Sequence, residues 1–281
     1  MFNRILVPTD FTPKCENALK TAVQLAKKTG STIDLMHIVE SPLIIKNKNN
    51  FLDGISNLAK EMMEISAKKL TFLRDQFADE DITINIRTKI DELPDRVAEL
   101  ITQEDYDLIV VGGNTVYPFY EFVGKTHPEQ IVELAKCPVL VLNKEIESFN
   151  MDRIVIPSSL DNSIVKIMDQ INEMIDFFRA DVEILYVNTP ASFKTTDEIN
   201  KAWHKFKSVH ELDNVRLSLY NDHSVKKGIV KYAKDQGVDL ILLTSKHTKK
   251  PLSVIKGDIT EHIVNHEDFP VLTFNIKNTV L

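Results

Sequence analysis

The chain has 281 residues, 43% of them hydrophobic and 27% charged, an ordinary globular composition with room for two domains of roughly 140 residues. A net charge of −7 argues against a general nucleic-acid coat, and no stretch reaches the ~20 apolar residues of a membrane span. The start, MFNRILVPTD, has too short an apolar run for a signal peptide, and Cys15 and Cys137 form no CxxC or zinc-spaced cluster, so the expectation is a reducing, cytoplasmic setting without DNA or membrane partners.

In chain order, Ile5-Leu6-Val7 closed by Pro8 predicts a buried strand. Thr12 offers an N-cap and Pro13 a first helical residue, and apolar spacing from Ala18 to Ala26 runs to a terminating Gly30. Residues 32–39 read as a second strand, 41–50 as irregular, 55–77 as a long helix and 82–88 as a third strand. A helix over 93–101, an apolar strand over 108–111, a helix around 131–135 and a strand over 139–142 complete the first half. The second half repeats the plan, with strands near 153–157, 182–188, 214–220, 239–243 and 271–276, and helices near 161–178, 195–208, 224–236 and 257–266. Domains are expected over 1–144 and 150–281, with a polar joint over 145–150.

The chain contains itself twice. Arg4-Ile5-Leu6-Val7-Pro8 recurs as Arg153-Ile154-Val155-Ile156-Pro157. Asp107-Leu108-Ile109-Val110-Val111-Gly112 recurs as Asp239-Leu240-Ile241-Leu242-Leu243-Thr244, and Pro138 to Asn143 as Pro270 to Asn275, in the same order. Strands alternating with helices imply βαβ units and a mostly parallel sheet covered on both faces. Such sheets bind ligands beyond the carboxyl ends of their strands, where the strand order reverses. The residues after strands 1, 2 and 4 are therefore the ones to inspect.

Pro8-Thr9-Asp10 follows strand 1. Asp10 can accept a hydrogen bond from a ribose hydroxyl or a base edge, or it can cap the following helix. After strand 4 come Gly112 and Gly113, and later Gly124-Lys125-Thr126. Glycines admit a phosphate close to the backbone, and a helix start favours its charge. The triplet is not a P-loop, because position 119 is Phe and not Gly.

RILVPTDFT, the helix ending LAKKTG, DLMHIVE, DLIVVG and CPVLVLN, in that order, make the chain resemble the universal stress protein family in its tandem form, end to end. The resemblance implies two tandem Rossmann-like (adenine nucleotide alpha hydrolase-like) α/β domains. Each would have a five-stranded parallel sheet with helices on both faces. It also implies dimerisation through the last strands. Some members bind ATP; these carry Gly-x2-Gly-x9-Gly-Ser/Thr after strand 4, and an Asp after strand 1.

Laid on that pattern, Asp10 matches the adenosine-contacting acid, Ile38 the apolar residue on the adenine, Gly112 the first glycine and Thr126 the terminal hydroxyl. Thr115 and Lys125 stand where the second and third glycines belong, with Gly124 next door. The resemblance thus implies an incomplete site for ATP or AMP in the first copy, with Mg²⁺ accompanying ATP. In the second copy Ser159 replaces the acid, Val187 matches Ile38, and Thr244, His247 and Gly257 fill the glycine positions. Asp258 replaces the hydroxyl there. A carboxylate ~4 Å from a phosphate charge costs about 4 kcal/mol at an effective dielectric of ~20, or about a thousandfold in affinity.

Other features carry more than one reading. Tyr117-Pro118-Phe119-Tyr120-Glu121-Phe122 is a cleft lid, a partner patch or a small satellite core. Lys246, Lys249 and Lys250 are an anion site or a solvated loop. His262 and His266 have i, i+4 spacing but lack the other ligands of a metalloprotease. No catalytic constellation stands out, so the chain is at most a slow ATPase.

The functional expectation is a stress-response sensor or adaptor with a nucleotide in the first copy only. The alternative is a nucleotide-free scaffold that docks an unknown protein through 117–122. The apolar strands 139–142 and 271–274 are expected to pair the copies as an intramolecular pseudo-dimer, because an unpaired apolar edge invites association. A homodimer of the whole chain is also open. Separating the copies after Glu147 should make the halves aggregate or homodimerise, a result read by size-exclusion chromatography; stable monomers would contradict it.

Overall fold

The computed structural model describes residues 2–40, 52–91, 104–113, 127–161, 167–210, 215–245, 263 and 268–275. The chain divides into two compact units, which part between Phe149 and Asn150. Each is α/β, as expected.

The first unit contains β1 (Arg4–Pro8), α1 (Pro13–Thr29), β2 (Thr32–Glu40), α2 (Leu52–Asp75), β3 (Thr83–Asp91), β4 (Leu108–Gly112), α3 (His127–Leu134) and β5 (Val139–Leu142). Its strands lie in the order β3-β2-β1-β4-β5, and every pairing is parallel. The order reverses between β1 and β4, and it is beyond the carboxyl ends of the strands at such a point that open α/β sheets bind ligands in a crevice. Ile5, Leu6, Val7, Leu108 and Val110 are fully buried. These central strands are apolar throughout because helices cover both faces of a parallel sheet.

α1 starts at Pro13 and ends where Gly30, at φ 74°, returns its N–H to the Ala26 carbonyl. Its buried side, including Ala18, Leu19, Ala22, Leu25 and Ala26, has the helical spacing read from the sequence. The Asp that opens the repeated DLI motif has a structural task. The Asp107 carboxylate accepts the N–H groups of Asn3 and Arg4 at 2.8 and 2.9 Å, and Asp239 accepts that of Arg153 at 2.9 Å.

The polar segment after β5 is laid along α1. Asn17 donates to the Lys144 carbonyl and accepts from Ile146 N, at 2.7 and 3.1 Å. Gln24 does the same for Glu147 O and Phe149 N, at 3.1 and 2.6 Å. Two amide side chains thus satisfy four backbone groups that would otherwise face α1 unpaired.

The second unit contains β6 (Arg153–Pro157), α4 (Met168–Phe178), β7 (Asp181–Asn188), α5 (Thr196–His210), β8 (Arg216–Asn221), α6 (Val225–Gln236), β9 (Leu240–Ser245) and β10 (Val271–Asn275). Its order, β8-β7-β6-β9-β10, again all parallel, repeats that of the first unit. α4 is described over Met168–Phe178; of the rest of the helix expected over 161–178, Asp161 is not helical and 162–166 lie outside the described residues. β3 runs three residues past the expected end at Thr88, because its ladder with β2 continues to the pair Glu40–Asp91. The helix expected over 93–101 lies outside the described residues, as does that over 257–266 apart from Ile263.

Candidate functional site

The crevice of the first unit is built on the turn between β1 and α1. Thr9 N donates to the Met36 carbonyl at 2.8 Å, extending the β1–β2 ladder by one bond. Phe11 N then donates to Thr9 Oγ1 at 3.1 Å, and Thr12 N to Asp10 Oδ1 at 2.9 Å. These bonds turn the chain sharply, and Phe11 takes a φ of 66°. A left-handed non-glycine residue costs about 1–2 kcal/mol. Asp10 therefore closes an Asx turn just ahead of α1, while Thr12, the N-cap residue as expected, makes no side-chain cap bond. The turn uses one carboxylate oxygen of Asp10, which is half-buried beyond the carboxyl end of β1.

His37, on β2, reaches this turn. Its Nδ1 lies 2.7 Å from the Thr9 carbonyl oxygen. A carbonyl only accepts, so Nδ1 carries the proton. The Phe11 ring packs on the imidazole with centroids 4.4 Å apart, and Lys69 Nζ from α2 lies 5.0 Å from the Phe11 centroid. Burial pushes the His37 pKa below its ordinary 6.5; the Thr9 carbonyl and Asp10 oppose this, and Lys69 adds to it. Ile38, the next residue, is buried, as expected for an apolar wall.

Gly112 ends β4 opposite this turn. A Cβ there would meet the Lys14 carbonyl oxygen at 2.6 Å and Cys15 N at 3.0 Å. Glycine is thus required by the packing of α1 on β4, before any ligand is considered. Gly113 N donates to the Leu142 carbonyl at 2.7 Å, and a Cβ on Gly113 would overlap the Asn143 side chain. The Cys15 thiol is buried beside Asp10, and burial first and the carboxylate second push its pKa up to about 12. It is a protonated core thiol at neutral pH.

Pro8, Thr9, Asp10, Ile38 and Gly112 therefore gather at the carboxyl ends of β1, β2 and β4. Thr115, Gly124, Lys125, Thr126 and the aromatic stretch 117–122 lie outside the described residues. Among the described residues, no group of three His, Cys, Asp or Glu could hold a metal, and no helix is long and apolar enough to cross a membrane.

The second unit keeps the turn and changes its contents. Ser158 N donates to the Leu185 carbonyl at 2.9 Å, and Leu160 N to Ser158 Oγ at 3.0 Å. Ser159, in the place of Asp10, is exposed and donates to Asp161 at 3.0 Å. Tyr186 stands where His37 does, with Lys194 Nζ 5.4 Å from its ring centroid. Val187 is buried against α6, where a Cβ on Gly228 would come within 2.5 Å of Val187 Cγ1. Thr244 is half-buried in β9, opposite Phe274. His247, Gly257, Asp258, Lys246, Lys249, Lys250, His262 and His266 lie outside the described residues.

The residue types gave no role to His37, Phe11 and Lys69. The signal available for His37 was its place directly before Ile38 near the end of the second strand.

The family model described as "Universal stress protein family" matches residues 1–143 and 152–275. The chain is 25% identical over 147 residues to universal stress protein MJ0531 of Methanocaldococcus jannaschii, covering 51% of this chain and 84% of that one. It is 23% identical over 150 residues to universal stress protein YxiE of Bacillus subtilis, covering 50% and 99%. A crystal structure of a universal stress protein from Archaeoglobus fulgidus superposes with a TM-score of 0.67 at 15% identity, covering 98% of this chain and 99% of that one, which speaks for the fold. With the family model matching each unit in turn, the chain belongs to the universal stress protein family and carries the family's domain twice.

Proposed function

We propose that this stress-type protein binds an adenine nucleotide, ATP or AMP, in its first unit only, and acts as a sensor or adaptor. The observation that supports this is the convergence of Asp10, Ile38 and Gly112 at the reversal point of the first sheet, where the second unit has an exposed Ser159 and Thr244. Asp10 would accept from the nucleoside, Ile38 would wall the base, and the segment after Gly112 would meet the phosphates. With ATP, Mg²⁺ would be held by the phosphates and water, since the described residues supply no cluster of metal ligands.

Isothermal titration of the full chain with MgATP and with AMP tests the reading. Asp10→Asn preserves the acceptor for the Thr12 N–H and removes the charge. A charge-assisted hydrogen bond is worth about 1.5–3 kcal/mol, so affinity should fall about tenfold or more while the melting temperature holds. No heat and no thermal stabilisation at millimolar nucleotide would reject the proposal and favour the nucleotide-free scaffold. We further propose that strands 139–142 and 271–274 pair the units as an intramolecular pseudo-dimer. The bonds from Asn17 and Gln24 to residues 144–149 make Phe149, rather than Glu147, the sounder place to separate the halves for that test.

A further inference from the structure

We infer that His37 is a positioning residue for ligand recognition in the first unit, acting by holding both chain neighbours of Asp10. The inference rests on the nucleotide reading above. Thr9, before Asp10, has its carbonyl held by His37 Nδ1 at 2.7 Å. Phe11, after Asp10, has its ring on the same imidazole at 4.4 Å and is backed by Lys69. Asp10 thus sits between two residues pinned to one side chain on a neighbouring strand. Such support matters because a misplacement of about 1 Å in a recognition group can cost about a hundredfold.

The second unit supplies an internal control. Its turn has the same backbone bond to the neighbouring strand, the same Ser/Thr oxygen accepting two residues on, and the same left-handed residue. It does so with Tyr186 where His37 stands. The turn therefore folds without an imidazole. The His37 contacts are additional to the fold, and they occur in the unit whose turn carries the acid.

The charged groups facing His37 among the described residues are Asp10 on the turn and Lys69 on α2; the Thr9 carbonyl occupies Nδ1. Burial holds the folded-state pKa below the ordinary 6.5, so the unfolded chain takes up a proton that the folded chain refuses as pH falls through that value. Stability from this group is present above pH 6.5 and is lost below it, down to the folded pKa.

The test uses the full chain with MgATP as the probe, and compares His37→Tyr, the second unit's residue, with His37→Asn, whose amide can still donate to the Thr9 carbonyl. His37→Tyr should lower affinity about tenfold, or about 1.4 kcal/mol. His37→Asn should stay close to wild type in affinity, yet lose the stability slope below pH 6.5. Amide exchange at Phe11 and Thr12, read without nucleotide, should quicken in His37→Tyr and not in His37→Asn. Equal MgATP affinity in wild type and His37→Tyr would overturn the inference. If the wild type binds no nucleotide, the binding reading fails, and the exchange data alone judge the positioning: unchanged exchange in His37→Tyr overturns it, and faster exchange rescued by Asn supports it. If His37→Tyr does not fold, His37→Asn decides: weaker binding with faster exchange at Thr12 would overturn a role that any amide donor can fill, and retained binding supports it.

Discussion

Gly112→Ala is expected to destabilise the first unit by about 2–3 kcal/mol, near the top of the range for overpacking, and to abolish nucleotide affinity with it. The added Cβ would lie 2.6 Å from the Lys14 carbonyl oxygen, 2.7 Å from its carbon and 3.0 Å from Cys15 N. All three are backbone atoms in the first turn of α1, so no side chain can swing away. Relief requires moving α1, and α1 is held by Ala18, Ala22 and Ala26, each nearly or fully buried. Asp10 is bonded to the N–H of Thr12, the residue that leads into α1, so on the nucleotide reading proposed above a shift of α1 also moves the acid that the nucleotide would meet. Thr244→Ala, at the matching place in the second unit, removes atoms and adds none, and should cost clearly less. Chemical denaturation of the two variants, with MgATP titration of each, checks this. A Gly112→Ala protein as stable as wild type would show that α1 is not seated as described.

Asp34→Ala should be the other severe substitution, at about 3 kcal/mol. Asp34 is fully buried on β2 and accepts from Arg4 Nη2 at 2.6 Å, Asn85 Nδ2 at 3.0 Å and Tyr106 Oη at 3.1 Å, with Arg87 Nε also 3.1 Å away. Glu104 completes the cluster through Arg87 and Lys89, both at 2.8 Å, and these cations, the Lys89 bond foremost, hold its carboxyl below the usual range. Breaking a buried ion pair usually costs about 3–5 kcal/mol, because the remaining partner is left buried and unpaired. The lower end applies here, since the Arg4 and Arg87 side chains are 35% and 37% exposed and can rehydrate. Asp34→Asn keeps one acceptor, placed for Arg4 and Tyr106, which share Oδ2, and should cost about half as much. Urea unfolding of the two variants measures the difference. Equal and small losses would mean that the cluster is solvated and contributes little.

The second unit builds the same cluster from different residues. Glu183 stands in the place of Asp34 and accepts from Arg216 at 2.7 Å, Ser218 at 2.8 Å and the Tyr232 hydroxyl. Tyr106 lies just before β4, whereas Tyr232 lies on α6. An acid is therefore present at this place in both units, while the acid after the first strand is present in one. Comparing the two repeats in sequence drew attention to the residues that differ and passed over Asp34 and Glu183. An acid inside an apolar run looks like the polar face of an edge strand until its partners are seen.

Much of the fold was legible. The runs Ile5-Leu6-Val7 and Leu108 to Val111 mark central strands because strands buried on both faces must be apolar throughout. Pro13 and Gly30 bound α1 because one presets a helical φ and the other accepts a left-handed one. The left-handed φ of Phe11 and Leu160 has no signature in their residue types. At the site, Asp10 caps no helix: one of its oxygens closes an Asx turn on the Thr12 N–H, a bond that the residue types alone did not distinguish from a cap.

The sequence by itself determined that there are two copies of one α/β domain and how their strands alternate with helices. It could do so because side-chain periodicity and helix punctuation are local, written within a few residues. Only the tertiary structure decided that His37 holds the turn around Asp10, that Gly112 is reserved for the backbone of α1, and that residues 144–149 lie on α1. Each of these joins groups 28 to 129 residues apart in the chain, between side chains and backbone atoms whose meeting no local pattern encodes.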